Sequence, residues 1–163
     1  MDSAERHERI ESFGRAHALL VNALTQFPRE MWQYRPSGTR WSIHEIIVHL
    51  TDSEANAYIR CRRVIAEPGC SVMAYDQNAW ARSLLYHNQS TDEALDLFRL
   101  LRSMNYKLVR SLPELTWTNA VNHPEHGLMN LDRWLDLNER HVPSHIQQMK
   151  RNYASWRQIE KAS

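Results

Sequence analysis

Four stretches of this chain carry apolar residues at three- and four-residue steps, each bounded by a proline or a capping residue. That period belongs to helices, which turn once in about 3.6 residues, and not to strands, which alternate. The first stretch, 3–26, sets Ile10, Phe13, His17, Leu20 and Leu24 on one face, with Leu19 broadening it, and Pro28 ends it. The second opens at Ser42, where Glu45 three residues on completes a capping box. Ile43, Ile46, Ile47 and Leu50 start its apolar face, Tyr58, Cys61 and Ile65 continue it, and Pro68-Gly69 follows its end near Glu67. The third has Thr91 as N-cap with Asp92 and Glu93 in its first turn, a face of Leu95, Phe98, Leu101, Asn105, Leu108 and Leu112, and Pro113 as its stop. Arg102, Lys107 and Arg110 bias its later half towards the basic side. Asn130 caps the last stretch, which carries Leu131, Trp134, Leu135 and Asn138, with Tyr153 and Trp156 continuing the pattern. The pattern predicts an all-α chain folded as an antiparallel four-helix bundle, a single domain over 1–163.

The connections are longer than a simple up-and-down bundle needs, which predicts a crossover. Residues 68–90 are irregular, with Tyr75-Asp76-Gln77-Asn78 as a turn leading into a short helix. Residues 115–128 form a loop of the kind that covers sites or packs over a core.

Composition removes several function classes. With 20 basic and 19 acidic side chains and a net charge of +1, the chain is not built around a nucleic-acid backbone. No run of apolar residues is long enough to span a membrane, and the opening Asp2, Glu5 and Arg6 do not resemble a signal peptide. Cys61 and Cys70 make no disulfide framework, which fits a reducing compartment, so the expected location is the cytoplasm. Four glycines and no glycine-rich loop argue against a dinucleotide or P-loop site. Nine histidines and six tryptophans are the peculiarities that remain.

Two of those histidines, His141 and His145, stand four apart on the stripe of Trp134, Asn138 and Met149. Imidazoles at i and i+4 share a helix face and can converge on one metal ion. A third ligand is needed, and His49, at the edge of the second helix's buried stripe, is the candidate. Three imidazoles suit Zn, Ni, Co or Fe better than Mg or Ca, and three protein ligands leave the open position a catalytic site requires. Bound zinc lowers the pKa of its water to about 7, and a thiol in that position is activated likewise. Asp52 and Glu45 are the possible acceptors for the free N–H of His49. The competing reading is that all three histidines simply pack. Pro143, between the paired histidines, lacks an N–H and costs roughly 3 kcal/mol inside a helix. It predicts either a kink or a break there.

The stretch Trp41-Ser42-Ile43-His44-Glu45-Ile46-Ile47-Val48-His49-Leu50-Thr51-Asp52-Ser53-Glu54 resembles the second-helix signature of the DinB-like and YfiT-like superfamily. His123-Pro124-Glu125-His126-Gly127, with Glu139-Arg140-His141-Val142-Pro143-Ser144-His145-Ile146-Gln147-Gln148, resembles its last-helix signature. The resemblance implies a four-helix bundle with a long crossover, often dimeric, holding zinc or nickel on one histidine of the second helix and two of the last. Those positions fall on His49, His141 and His145, and Pro143 is the departure. It also implies a metal-dependent hydrolase, or a transferase using a low-molecular-weight thiol, acting on a small molecule. The alternative is a metal- or ligand-binding helical protein without turnover.

The remaining residues carry less. His123 and His126 reach the site mouth or contact solvent, with solvent favoured, and His44 points away from His49. His17 is a core histidine, Cys61 is too buried to be a nucleophile, and Cys70 has no fixed base. Trp134 is the tryptophan expected beside the metal, and Arg60, Arg62 and Arg63 are expected to form a solvated face.

Overall fold

The computed structural model describes residues 1–161. The helices are α1 (Ser3–Gly14), α2 (Ala16–Leu24), α3 (Ile43–Ala66), α4 (Gln77–Ser83), α5 (Thr91–Arg110) and α6 (Leu131–Glu160), with a two-stranded hairpin of β1 (Ala120–His123) and β2 (Gly127–Asn130). The predicted first helix is therefore two segments. Gly14 sits against Tyr106, where a Cβ would lie 2.6 Å from the ring, and Arg15 steps between the two segments. The small residue admits the aromatic ring at the cost of a weaker helix.

Cross-helix contacts define the topology. Trp134 donates to the carbonyl of Ala57 and Asn152 to that of Trp41, so α3 and α6 run antiparallel. Arg6, Arg9 and Ser12 of the first helix bond Asp132, Asp136 and Glu139 of α6 in order, so that pair is parallel. Thr51 meets Ala94, Glu54 meets Arg102 and Arg62 meets Asn105, so α3 and α5 are also parallel. The chain from 67 to 90 must then return along the bundle, and it is the predicted crossover. On the way, Cys70 and Val72 bond Asn122 of the hairpin, and Asp76 caps α4.

The caps follow the sequence closely. Ser42 and Glu45 form the reciprocal capping box, and Asn130 accepts from the amide of Arg133. The cap of α5 is Ser90 rather than Thr91, the serine hydroxyl accepting from Glu93. The buried face of α5 is also rotated from the predicted one: Ala94, Phe98, Arg102, Asn105 and Val109 are inside, while Leu95, Leu101 and Leu108 are only half-buried. On α3 Ala57 and Val64 are buried where Tyr58 and Ile65 are half-buried, and Leu19 is exposed. Helix α6 runs unbroken through Pro143. The proline faces solvent between buried Val142 and Ile146, so the carbonyl deprived of its partner lies on the wet side of the helix. Among the described residues no helix is long and apolar enough to cross a membrane.

Candidate metal centre

His49 lies about two turns inside the capped end of α3, and its neighbours Ile46, Ile47 and Leu50 are fully packed. The antiparallel α6 brings His141 and His145 opposite it. His49 Nε2 lies 3.4 Å from His141 Nε2, and His145 Nε2 lies 3.1 Å from the same atom. All three rings offer a ligand atom within 4.8 Å of the others. Tetrahedral zinc with Zn–N bonds of about 2.0–2.1 Å separates its ligand nitrogens by about 3.3–3.4 Å, so the spacing suits one shared ion.

Burial keeps these rings neutral. Desolvation, with His145 next, pushes His49 down to about 3. His141 is lowered well below the usual histidine range by burial first, and then by His145, His49 and Arg102. His145 is lowered by burial, against the opposing pull of Gln148. Neutral imidazoles placed nitrogen to nitrogen repel through their lone pairs unless a cation lies between them. One proton on His141 Nε2 would relieve one contact, whereas a divalent ion relieves all three.

The surroundings differ from the sequence expectation. Gln148 Oε1 accepts from His145 Nδ1 at 2.9 Å, which leaves the Nε2 lone pair facing the cluster. Gln148 was missed, although its place three residues after His145 is a helix-neighbour spacing. Asp52 and Glu45 do not reach His49, whose Nδ1 is buried without a partner. Asp52 instead accepts from the Tyr86 hydroxyl at 2.5 Å, and Glu45 is held by the capping box and by Arg35. The tryptophan at the site is Trp41, whose ring lies 4.6 Å from His49 and stacks on His145 at 6.5 Å. Trp134 is interior packing against Phe13, its N–H committed to α3, because its position on α6 faces the core it shares with Phe13, Ala57 and Cys61. His44 bonds the carbonyl of Gln89, and Cys61 is buried, its thiol pushed up to about 12 by desolvation.

A cleft of about 540 Å³ opens beside the triad, lined by His49 and His141 and, opposite, by residues of the crossover and the hairpin. His123 and His126 line it too; His123 is buried, against the solvent reading, while His126 stays exposed in agreement with it. The hairpin places them there: His123 pairs with Gly127, whose φ of +65° closes a three-residue turn at Pro124-Glu125-His126. Arg60 also faces this cleft, while Arg62 packs over Tyr58 and bonds Asn105, so of the arginine run Arg63 alone is an ordinary surface ion pair, with Glu67.

A four-helix bundle with a parallel α3/α5 pair, a return crossover and three convergent histidines defines a distinctive class of helical protein. The chain belongs to the DinB superfamily, whose family model matches residues 12–149. It is similar to a "Putative metal-dependent hydrolase" of Oceanobacillus iheyensis, 30% identical over 78% of this chain and 74% of that one. A protein of the same description from Bacillus licheniformis is 28% identical over 91% of this chain and 85% of its own. The solved structure of YfiT from Bacillus subtilis, described as a probable metal-dependent hydrolase with an unusual four-helix bundle topology, superposes with a TM-score of 0.85. That match covers 93% of this chain and 87% of YfiT at 21% identity, and it bears on the fold.

Proposed function

We propose that this protein is a metal-dependent hydrolase of small molecules, with His49, His141 and His145 holding one divalent transition ion. The observation that carries this is the convergence of three neutral Nε2 atoms at 3.1 and 3.4 Å, beside a cleft that two of the rings line. All-imidazole ligation favours zinc or nickel over magnesium or calcium. When bound, the ion supplies Lewis acidity towards a water or a small thiol in the position the three histidines leave open. The names of the relatives, metal-dependent hydrolases, support the same reading.

The chain's own residues do the rest. Gln148 fixes the tautomer of His145, and the Trp41 ring covers two of the histidines. Tyr75, Ser53, Gln77 and Asn78 line the cleft with neutral polar groups suited to orienting a polar substrate. The test has two stages. Metal content by mass spectrometry should give about one ion per chain, lost in His49→Ala. Hydrolysis of simple esters and amides, with and without low-molecular-weight thiols, should then require that ion. A metal-free protein that takes up neither zinc nor nickel would end this reading.

A further inference from the structure

His123, Glu125 and His126 bring three ligand-type atoms within 4.8 Å of one another and invite a second metal site. The hydrogen bonding argues otherwise. His123 Nδ1 accepts from the amide of Glu125 at 3.2 Å, so that nitrogen carries no proton. The neutral ring must then hold its proton on Nε2, which makes Nε2 a donor and not a ligand. Burial first, with Arg60 and His126 adding to it, holds His123 below the usual histidine range, which supports the neutral form. That Nε2 is buried and has no partner, in a side chain only 4% exposed. A buried N–H left unmet costs about 1–3 kcal/mol, so it calls for an acceptor.

Arg60 lines the same cleft. Among the described residues its one hydrogen bond is to the carbonyl of Met73 at 2.6 Å, and it forms no salt bridge. Desolvation depresses its basicity, with only distant help from Tyr75 and Glu125. A half-buried guanidinium without a carboxylate is a standing demand for an anion. We propose that Arg60 and His123 form a carboxylate-binding site, and that the molecules this protein takes are small monoanions carrying a carboxylate at the end remote from the triad.

The dimensions and charge fit that class. Arg60 follows His49 by eleven residues on one helix, roughly 16 Å along its axis. A ligand of several atoms can therefore meet the histidines at one end and the guanidinium at the other. Glu125 is exposed at the rim, and Asp76, also in the lining, is engaged in capping α4. Their negative charge disfavours a dianion such as phosphate and leaves a carboxylate as the better match. The site deepens the hydrolase reading by naming what its substrates share, but its donors are independent of the ion.

The test follows the His123 ring nitrogens by NMR in full-length protein, zinc-loaded and metal-free, titrated with butyrate, butyramide and inorganic phosphate. Butyrate should give a saturable shift at His123 Nε2, with butyramide weaker by about tenfold or more. Arg60→Gln should abolish the preference and Arg60→Lys should keep part of it, at unchanged helical content. Equal response to the amide, tighter binding of phosphate, or an Arg60→Gln protein that still prefers butyrate would each overturn the proposal. Metal content of the same samples reports on the triad separately, so failure of one reading is distinguishable from failure of the other.

Discussion

Arg102 of α5 donates to Glu54 of α3 at 2.5 Å, and both side chains are almost wholly buried. The same guanidinium reaches the carbonyls of Phe13 and Asn138 and lies 3.9 Å over the Phe13 ring, so one side chain touches all four long helices. Burial pushes the Glu54 carboxyl up and the Arg102 guanidinium down, each countered by its partner. Removing one partner strands the other. Arg102→Ala should destabilise by about 3–5 kcal/mol, while the paired Glu54→Leu/Arg102→Met protein should recover much of that. Urea unfolding of the two checks it, and a paired variant as weak as the single one would contradict the account.

Gln148 orients the His145 ring through its hydrogen bond to Nδ1. Gln148→Ala should weaken zinc binding by about 10–100-fold while leaving one ion per chain at saturation. His141→Ala should abolish stoichiometric binding. Competition with a chromogenic chelator separates these outcomes.

Stability of the metal-free protein should fall on mild acidification. His49, His141 and His145 all have folded-state pKa values below the ordinary value of 6.5, His49 reaching about 3. The unfolded chain therefore binds more protons below that value, so the contribution is present above about pH 6.5 and is lost as pH falls towards 3. Thermal midpoints of chelator-treated protein should drop between about pH 7.5 and pH 5, and the slope should flatten when all three histidines are replaced by glutamine. A wild-type midpoint flat across that window would contradict the burial argument.

Trp41 should report the ion. Its ring lies 4.6 Å from His49, so a paramagnetic ion such as Ni(II) or Co(II) in the triad should quench its fluorescence. Trp41→Phe should remove most of that quenching despite the five other tryptophans. Quenching that survives the substitution would place the ion elsewhere.

Pro143 stands on the exposed side of an unbroken helix. Pro143→Ala should therefore restore a helical hydrogen bond and raise stability by up to about 3 kcal/mol, with metal stoichiometry intact. A loss of stability would mean that the proline shapes the helix around the histidines.

Much of this molecule was legible where the physics is local. Ser42 with Glu45, Asn130 and Pro28 marked helix ends because caps and stops act within a few residues. The spacing of His141 and His145 fixed a shared face whatever the tertiary fold. Arg102 escaped because an arginine on a periodic helix reads as surface until its carboxylate is known, and Glu54 lies 48 residues away. Trp41 was overlooked for Trp134 because the loop before α3 has no period to place it. His123 and Arg60 were undervalued because the cleft that joins them takes its far wall from a crossover and a hairpin, neither visible as hydrophobic rhythm.

The triad joins residues 92 positions apart in the chain, His49 on α3 and His141 on the final helix. During synthesis the first histidine emerges long before its partners, with the crossover, α5 and the hairpin still to come. A nascent or truncated chain ending before α6 thus has one imidazole of the triad, and the three rings come together only when the last helix docks. An ion held by the three rings would then be a late clasp across the bundle, closing the chain between α3 and α6 into one loop.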